Sequence, residues 1–188
     1  MNFTKQFLID PIETGAIGSS SKDLSQLITD TAQLSKKKCV VELGSGAGVF
    51  TREIMRKISP KCLFFCLETN QQFVEETKKN CPNAIVYHTS AKDIKKYLLR
   101  HNQNTCDCII SGLPWAGFNK RLQEELLSAV YESLDKEGEF LTFAYLQGLF
   151  LPSGIKFKKL LHKRFRKVQK TKIIWKNLPP ALVYQCVK

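Results

Sequence analysis

Three glycines at alternate positions, Gly44, Gly46 and Gly48, follow directly on the apolar run Cys39-Val40-Val41-Glu42-Leu43, and no other stretch of the chain restricts its fold as much. The run reads as a short buried strand, and Phe50, Ile54 and Ile58 after the loop recur at helical spacing. Strand, glycine turn and helix together open an α/β unit in which a ligand approaches the backbone, because a side chain at the tight turn would block it. The N–H groups of such a loop and helix start suit an anionic group. Glu42 stands two residues ahead of the first glycine, and Glu68, 24 residues after Gly44, closes the second apolar run Cys62–Leu67, with Thr69 beside it. An acid at that strand end can accept hydrogen bonds from both hydroxyls of a ribose. Dinucleotide sites space their glycines GxGxxG, whereas the third glycine here comes one position early.

The remaining elements alternate. Ser21 is expected to cap a helix carrying Leu24, Leu27, Ile28 and Leu34; a polar helix covers about 70–80, Ala84–Tyr87 is a third strand, and a short helix covers about 92–100. Cys108–Ile110 reads as a fourth strand, Leu122, Leu126, Leu127, Val130 and Leu134 mark a long amphipathic helix, and Phe140–Leu146 is a fifth strand. A basic helix is expected from about Ser153 to Arg166. Two closing strands, near Val168–Trp175 and Ala181–Val187, flank the turn Asn177-Leu178-Pro179-Pro180. Strands alternating with helices imply a mostly parallel sheet covered on both faces. The turn suggests a closing antiparallel hairpin. At 188 residues the chain reads as a single α/β domain, with 1–34 as an N-terminal cap and 39–188 as the core.

Charge and cysteine usage narrow the function. The seven cysteines form no CxxC pair and no cluster at zinc spacing, so they read as reduced apolar side chains and no metal site is expected. Met1–Leu8 lack the basic start and apolar core of a signal peptide. The longest uncharged stretch, Phe140 to Ile155, has 16 residues and is broken by Gly148, Pro152 and Gly154, against the roughly 20 needed to span a bilayer. The expected location is therefore the cytoplasm. Of the net charge of +12, residues 1–139 carry +1 (18 Lys and Arg, 17 acids) and residues 140–188 carry +11 with no acid. A one-signed segment points to an anionic partner, phospholipid or nucleic acid, although a solvated basic tail would read the same way. Lys156, Lys159, Lys163, Arg166 and Lys167 share one helical face, and Phe157, Leu160, Leu161 and Phe165 share another.

The glycine motif, Glu68 and the strand order over 39–188 resemble class I S-adenosylmethionine (SAM)-dependent methyltransferases. More narrowly, Thr14–Ser20, Ser111–Ala116, Phe143–Leu146 with Gly148, and Trp175–Ala181 resemble the soluble bacterial phospholipid N-methyltransferases, which methylate phosphatidylethanolamine. The resemblance implies a Rossmann-like seven-stranded sheet with a C-terminal antiparallel hairpin and SAM as cofactor without a metal. It also implies action at the inner face of the cell membrane, and the charge distribution makes the basic 156–176 segment the expected docking surface. Cofactor contacts are expected at Glu42, Gly44, Ser45, Gly46, Gly48, Glu68, Thr69, Ser90, Ala91, Ser111 and Leu113, with Ser90-Ala91 standing where many relatives place Asp-Ala against the adenine. Two departures concern the N-terminal end. Gly18 replaces the usual Pro, and only Phe3, Phe7, Leu8 and Ile9 remain of a longer amphipathic helix. Ornithine-lipid N-methyltransferases are similar over the same stretches. A rival resemblance joins Lys5–Asp10 and Leu113-Pro114-Trp115 to ribosomal RNA adenine N6-dimethyltransferases. Their base-binding Asn is Gly112 here and their extra helical domain is missing, so RNA is the less expected partner.

Methyl transfer from a sulfonium is a direct displacement that needs a neutral amine lone pair in line with the methyl group. Backbone carbonyls around Ser111 and Gly112 are candidates to accept the amine's hydrogens, and Tyr145 is the best-placed polar side chain to face the head group, although a core tyrosine fits the same position. Trp115 offers a ring face for a methylated, cationic nitrogen, or else a wall for the cofactor. His88, His101 and His162 are scattered; His88 reads as a surface histidine and His162 falls within the basic helix. Nothing resembles a coiled coil, so a monomer is the expected state.

Overall fold

The computed structural model describes residues 17–188, with side chains from 22 onward. Thr14–Ala16, Lys5–Asp10 and the apolar N-terminal residues Phe3, Phe7, Leu8 and Ile9 lie outside the described residues. Alternate positions of β1 (Cys39–Leu43) belong to two different cores: Val41 and Leu43 pack on one face of the sheet, Val40 on the other. The same division recurs in β4 (Cys106–Ser111), where Ile109 opposes Cys108 and Ile110, and at Phe140 against Leu141 in β5 (Leu134–Tyr145). A strand apolar on both pleat faces must be covered on both sides. On one side α1 (Ile17–Thr31), α2 (Val49–Lys57) and α3 (Gln71–Asn80) supply Leu24, Ile28, Ile54 and Val74. On the other, α4 (Ile94–Arg100), α5 (Lys120–Ser133) and α6 (Pro152–Arg164) supply Leu98, Leu126, Val130, Phe157 and Leu161.

With β2 (Leu63–Glu68), β3 (Ile85–His88), β6 (Lys167–Lys170) and β7 (Ala181–Val187), the seven strands lie in the order β3-β2-β1-β4-β5-β7-β6. β1 to β5 pair in parallel, while β7 runs antiparallel to both β5 and β6. The order reverses between β1 and β4, and ligands of such sheets bind in the crevice at the carboxyl ends of the strands on either side of the reversal.

Several expected boundaries move for local reasons. The basic helix stops at Arg164, because Phe165 turns to extended backbone, so Arg166 and Lys167 leave its lysine face and Lys167 opens β6. Ser21 lies inside α1 and does not begin it, because the helix already runs from Ile17. Leu34 leaves that helix: Gln33 adopts a left-handed conformation (φ 48°), and Leu34 is buried from a separate turn over Leu34–Lys36. Leu134 turns to extended backbone and pairs with Cys106, so it opens β5 where periodicity placed it at the end of the long helix. The expected strand Val168–Trp175 shortens to Lys167–Lys170. Beyond it Thr171 N–H still donates to Val183 O at 3.0 Å, but the Val183 N–H goes to the Thr171 hydroxyl at 3.0 Å in place of its carbonyl, and an isolated bridge joins Ile174 to Ala181.

Candidate active site

Gly44, Gly46 and Gly48 all have positive φ (74°, 53° and 84°), the left-handed region that glycine enters without steric cost. The loop they form leaves β1 at the reversal of strand order. Its Gly44 N–H donates to Leu67 O at 2.8 Å, and Gly112 N–H, from the end of β4, donates to Leu43 O at 2.8 Å. The loop is braced from below by α3. Thr77 Oγ1 donates to Gly46 O at 2.7 Å and shares a hydrogen with Ser45 Oγ at 2.9 Å, while Asn80 Nδ2 donates to Ala47 O at 2.9 Å. Thr77 and Asn80 are three apart, on one helical face. Their polar spacing within the expected helix was the available signal, though neither was singled out from sequence.

Both predicted acids are buried at this loop. Glu68 ends β2 and accepts from Gly46 N–H (3.1 Å) and Asn70 N–H (2.9 Å), so it fixes the loop backbone and lies at the mouth of the crevice. Thr69, exposed beside it, engages His88 Nε2 through its carbonyl at 2.9 Å. Glu42 is fully buried; its Oε2 accepts from Thr51 Oγ1 at 2.7 Å and Cys66 Sγ at 3.1 Å, while its Oε1 has no hydrogen-bond partner among the described residues. Burial pushes its carboxyl up to about 7, partly offset by those two donors. A positive-φ loop with open backbone, a strand-end carboxylate and a buried acid lacking a partner on one oxygen fit an adenosyl-sulfonium cofactor.

Ser90 and Ala91 follow β3 on the same edge of the sheet. Ser90 Oγ accepts Lys92 N–H at 3.2 Å, opening a turn over Ala91–Asp93, and Ala91 is buried. Asp93 turns to the Thr89 hydroxyl (2.5 Å).

Beyond β4 and β5 opens a largely apolar pocket whose walls include Leu113, Trp115, Phe143, Tyr145, Leu149 and Leu151. Among the described residues no Asp, Glu, Lys or Arg lines it. Leu113 belongs to both sites, because a Cβ at Gly44 would lie 2.8 Å from Leu113 Cδ2. Trp115 is 2% exposed: its ring stacks on Phe157 (4.6 Å between centroids, 13°) and its Nε1 donates to Ser111 Oγ at 3.0 Å. Ser111 is fully buried, and its carbonyl accepts from Thr142 Oγ1 at 3.2 Å. The structure thus brings Leu113, Trp115 and Tyr145 to one pocket. Ser111 and Gly112 lie beneath it, against Trp115 and the glycine loop. Burial raises the Tyr145 hydroxyl above its usual value, so it stays protonated at neutral pH. Gln123, which sequence did not single out, is fully buried on α5. Its Nε2 donates to Trp115 O (2.7 Å) and Ser153 O (3.1 Å), tying the Trp115–Gly117 turn to the start of α6.

α6 turns Gly154, Phe157 and Leu161 inward and leaves Lys156, Lys158, Lys159 and Lys163 exposed. All seven cysteines are free thiols and six are buried. Among the described residues no His, Cys, Asp and Glu group could hold a metal, and no helix is long and apolar enough to cross a membrane.

No protein-family model matches the chain. It is 26% identical over 187 residues to an ornithine lipid N-methyltransferase of Singulisphaera acidiphila, covering 98% of this chain and 93% of that one. In structure it superposes on the O-methyltransferase TomG of Streptomyces achromogenes, solved with SAM, with a TM-score of 0.69, 14% identity and coverage of 98% and 95%. A provisionally assigned rRNA methylase of Clostridium thermocellum gives a TM-score of 0.65, 18% identity and coverage of 93% and 96%. The fold is that of the class I methyltransferases, as the glycine motif and strand order implied.

Proposed function

We propose that this chain is a SAM-dependent N-methyltransferase that methylates the head-group amine of a membrane lipid. The observation that carries the reading is Leu113, whose side chain lies against the glycine loop and also lines an apolar pocket without charged side chains among the described residues. A cofactor on the loop and an amine entering from the pocket would meet across it. Two head groups are candidates. Ornithine is the one named for the 26% identical relative, and ethanolamine is the one implied by the Ser111–Ala116 and Trp175–Ala181 stretches.

When bound, SAM supplies a methyl group on a sulfonium centre. The residues that would hold it are the Gly44–Gly48 backbone, Glu68 at the ribose, Glu42 beneath, and Ser90-Ala91 at the adenine edge. What remains for the protein is to deliver an amine lone pair and exclude water. The apolar pocket disfavours a charged ammonium and so favours the neutral amine the displacement needs. Transfer to a neutral amine there would leave the cofactor as a neutral thioether, and the methylated ammonium would give its proton to solvent. Tyr145, protonated and on the pocket wall, can orient the amine but does not act as a base. Trp115 forms the pocket floor from within the core.

The test is transfer of labelled methyl from SAM to vesicles containing ornithine lipid, vesicles containing phosphatidylethanolamine, and deproteinised ribosomal RNA. Label in either lipid supports the reading and identifies the amine. Label in RNA alone would overturn it. Membrane association is expected to be peripheral and salt-sensitive, since about 1 kcal/mol per exposed Lys or Arg is screened by ions.

A further inference from the structure

Among the described residues seven large apolar side chains are exposed, and five of them fall between 150 and 178: Phe150 (75%), Leu151 (40%), Ile155 (45%), Trp175 (69%) and Leu178 (68%). Chain connectivity gathers these five around the pocket. Tyr145, on the pocket wall, pairs with Ala181, and Ala181 bridges to Ile174, where the loop carrying Trp175 and Leu178 begins. That loop returns at Pro180, whose carbonyl accepts Leu146 N–H at 2.8 Å, and Leu146 opens the turn Leu146–Phe150. Ile155 sits one helical turn after Leu151, its N–H donating to Leu151 O at 2.9 Å. The two exposed segments therefore leave the same end of β5 and β7, beside the mouth that Leu149 and Leu151 line.

We propose that this rim is the face that docks on an anionic bilayer, with Phe150, Trp175 and Leu178 entering the interface and the α6 lysines holding the head groups. The proposal rests on the amine-lipid reading and states where the lipid enters. Charge complementarity selects the occupant. The segment from Phe140 onward carries 11 Lys and Arg and no acid. Lys156, Lys158, Lys159 and Lys163 on α6 are exposed and make no ion pair among the described residues. Apolar and aromatic side chains beside a cationic face are the pattern of interfacial binding, and tryptophan in particular settles at head-group depth. Exposed aromatics beside lysines also suit stacked bases. Leu151, Ile155 and Leu178 have no role on a phosphate backbone, whereas all three gain from burial in acyl chains.

The two tryptophans supply the readout, since Trp115 is 2% exposed and Trp175 is 69% exposed. With vesicles of equal parts phosphatidylglycerol and phosphatidylcholine, Trp175 emission is expected to shift to the blue and lose its quenching by iodide. Pure phosphatidylcholine should leave both unchanged. The double variant Phe150→Ser/Trp175→Ser, outside the pocket lining, should keep its melting temperature, its SAM affinity and its activity on a short-chain, water-soluble amine lipid. It should bind the anionic vesicles at least about tenfold more weakly. Failure of the wild type to sediment with those vesicles would overturn the docking face, as would sedimentation with Trp175 still quenched, or a double variant that binds as tightly as wild type. Protection of Trp175 by ribosomal RNA but not by vesicles would overturn it in favour of a nucleic-acid surface. Absence of methyl transfer even to the water-soluble lipid would sink the amine-lipid reading itself, a result that does not depend on docking.

Discussion

A Cβ placed on Gly112 would lie 2.5 Å from the carbonyl oxygen of Gly44, closer than real Cβ atoms approach a backbone oxygen. The loops leaving β1 and β4 are thus in backbone contact where the cofactor cradle meets the pocket. Any side chain at Gly112 has to push the glycine loop away, and that includes the Asn of the adenine-modifying enzymes.

Gly112→Ala should therefore lower stability by about 1–3 kcal/mol, the usual cost of overpacking, and weaken SAM binding with it. Denaturant unfolding and calorimetric titration with SAM would measure the two effects. A variant that binds SAM as wild type would show that the Gly44 loop is free to shift.

Thr77→Val preserves shape and removes the hydroxyl that holds both Gly46 O and Ser45 Oγ. A loss of about 1–2 kcal/mol in stability is expected, together with weaker SAM binding, because the loop backbone would no longer be held in its binding geometry. Unchanged affinity in the same titration would place the bracing elsewhere.

Glu42 gives a pH signature. Its carboxyl ordinarily titrates near 4.5 and in the folded protein near 7, chiefly because it is buried. Between those values the folded chain keeps a proton that the unfolded chain has released, so stability falls as pH rises through the window and is level above it. The full difference is about 3 kcal/mol. Glu42→Gln removes the titration while leaving an oxygen for Thr51. Wild type and variant should be closest in stability near pH 4.5, and the variant should gain by about 3 kcal/mol by pH 8. Equal pH dependence in thermal melts of the two would refute the assignment.

Tyr145→Phe should reduce turnover by about tenfold to a hundredfold with SAM affinity intact, if the hydroxyl orients the amine as proposed. The wild-type pH–rate profile should follow the amine's own deprotonation, because burial keeps the tyrosine protonated across the neutral range. Unimpaired turnover in the variant would leave Tyr145 a wall residue only.

The alternation of strands and helices and the cofactor loop were legible because both are written locally. Gly44, Gly46, Gly48 and Glu68 carry their meaning in spacing, and two-sided burial of β1 and β4 shows as unbroken apolar runs. What sequence missed depends on partners far along the chain. Sequence does not show that Phe157 stacks on the ring of Trp115 or that Ser111 Oγ accepts its N–H. Gln123 reads as a surface residue of an amphipathic helix until Trp115 and Ser153 present carbonyls to it. The early end of β6 hangs on one hydroxyl, that of Thr171, reaching a strand that begins ten residues later. Periodicity carries no information about such meetings.

β7 comes last of the seven strands in chain order yet is inserted between β5 and β6, and its Tyr184 also lines the pocket. While the chain is emerging from the ribosome, β5 therefore waits with an open edge and β6 has no neighbour at all. Such an edge is a template for pairing with other chains. The apolar pocket is consequently completed last, and a nascent chain cut short before Ala181 would present a sticky sheet edge in its place.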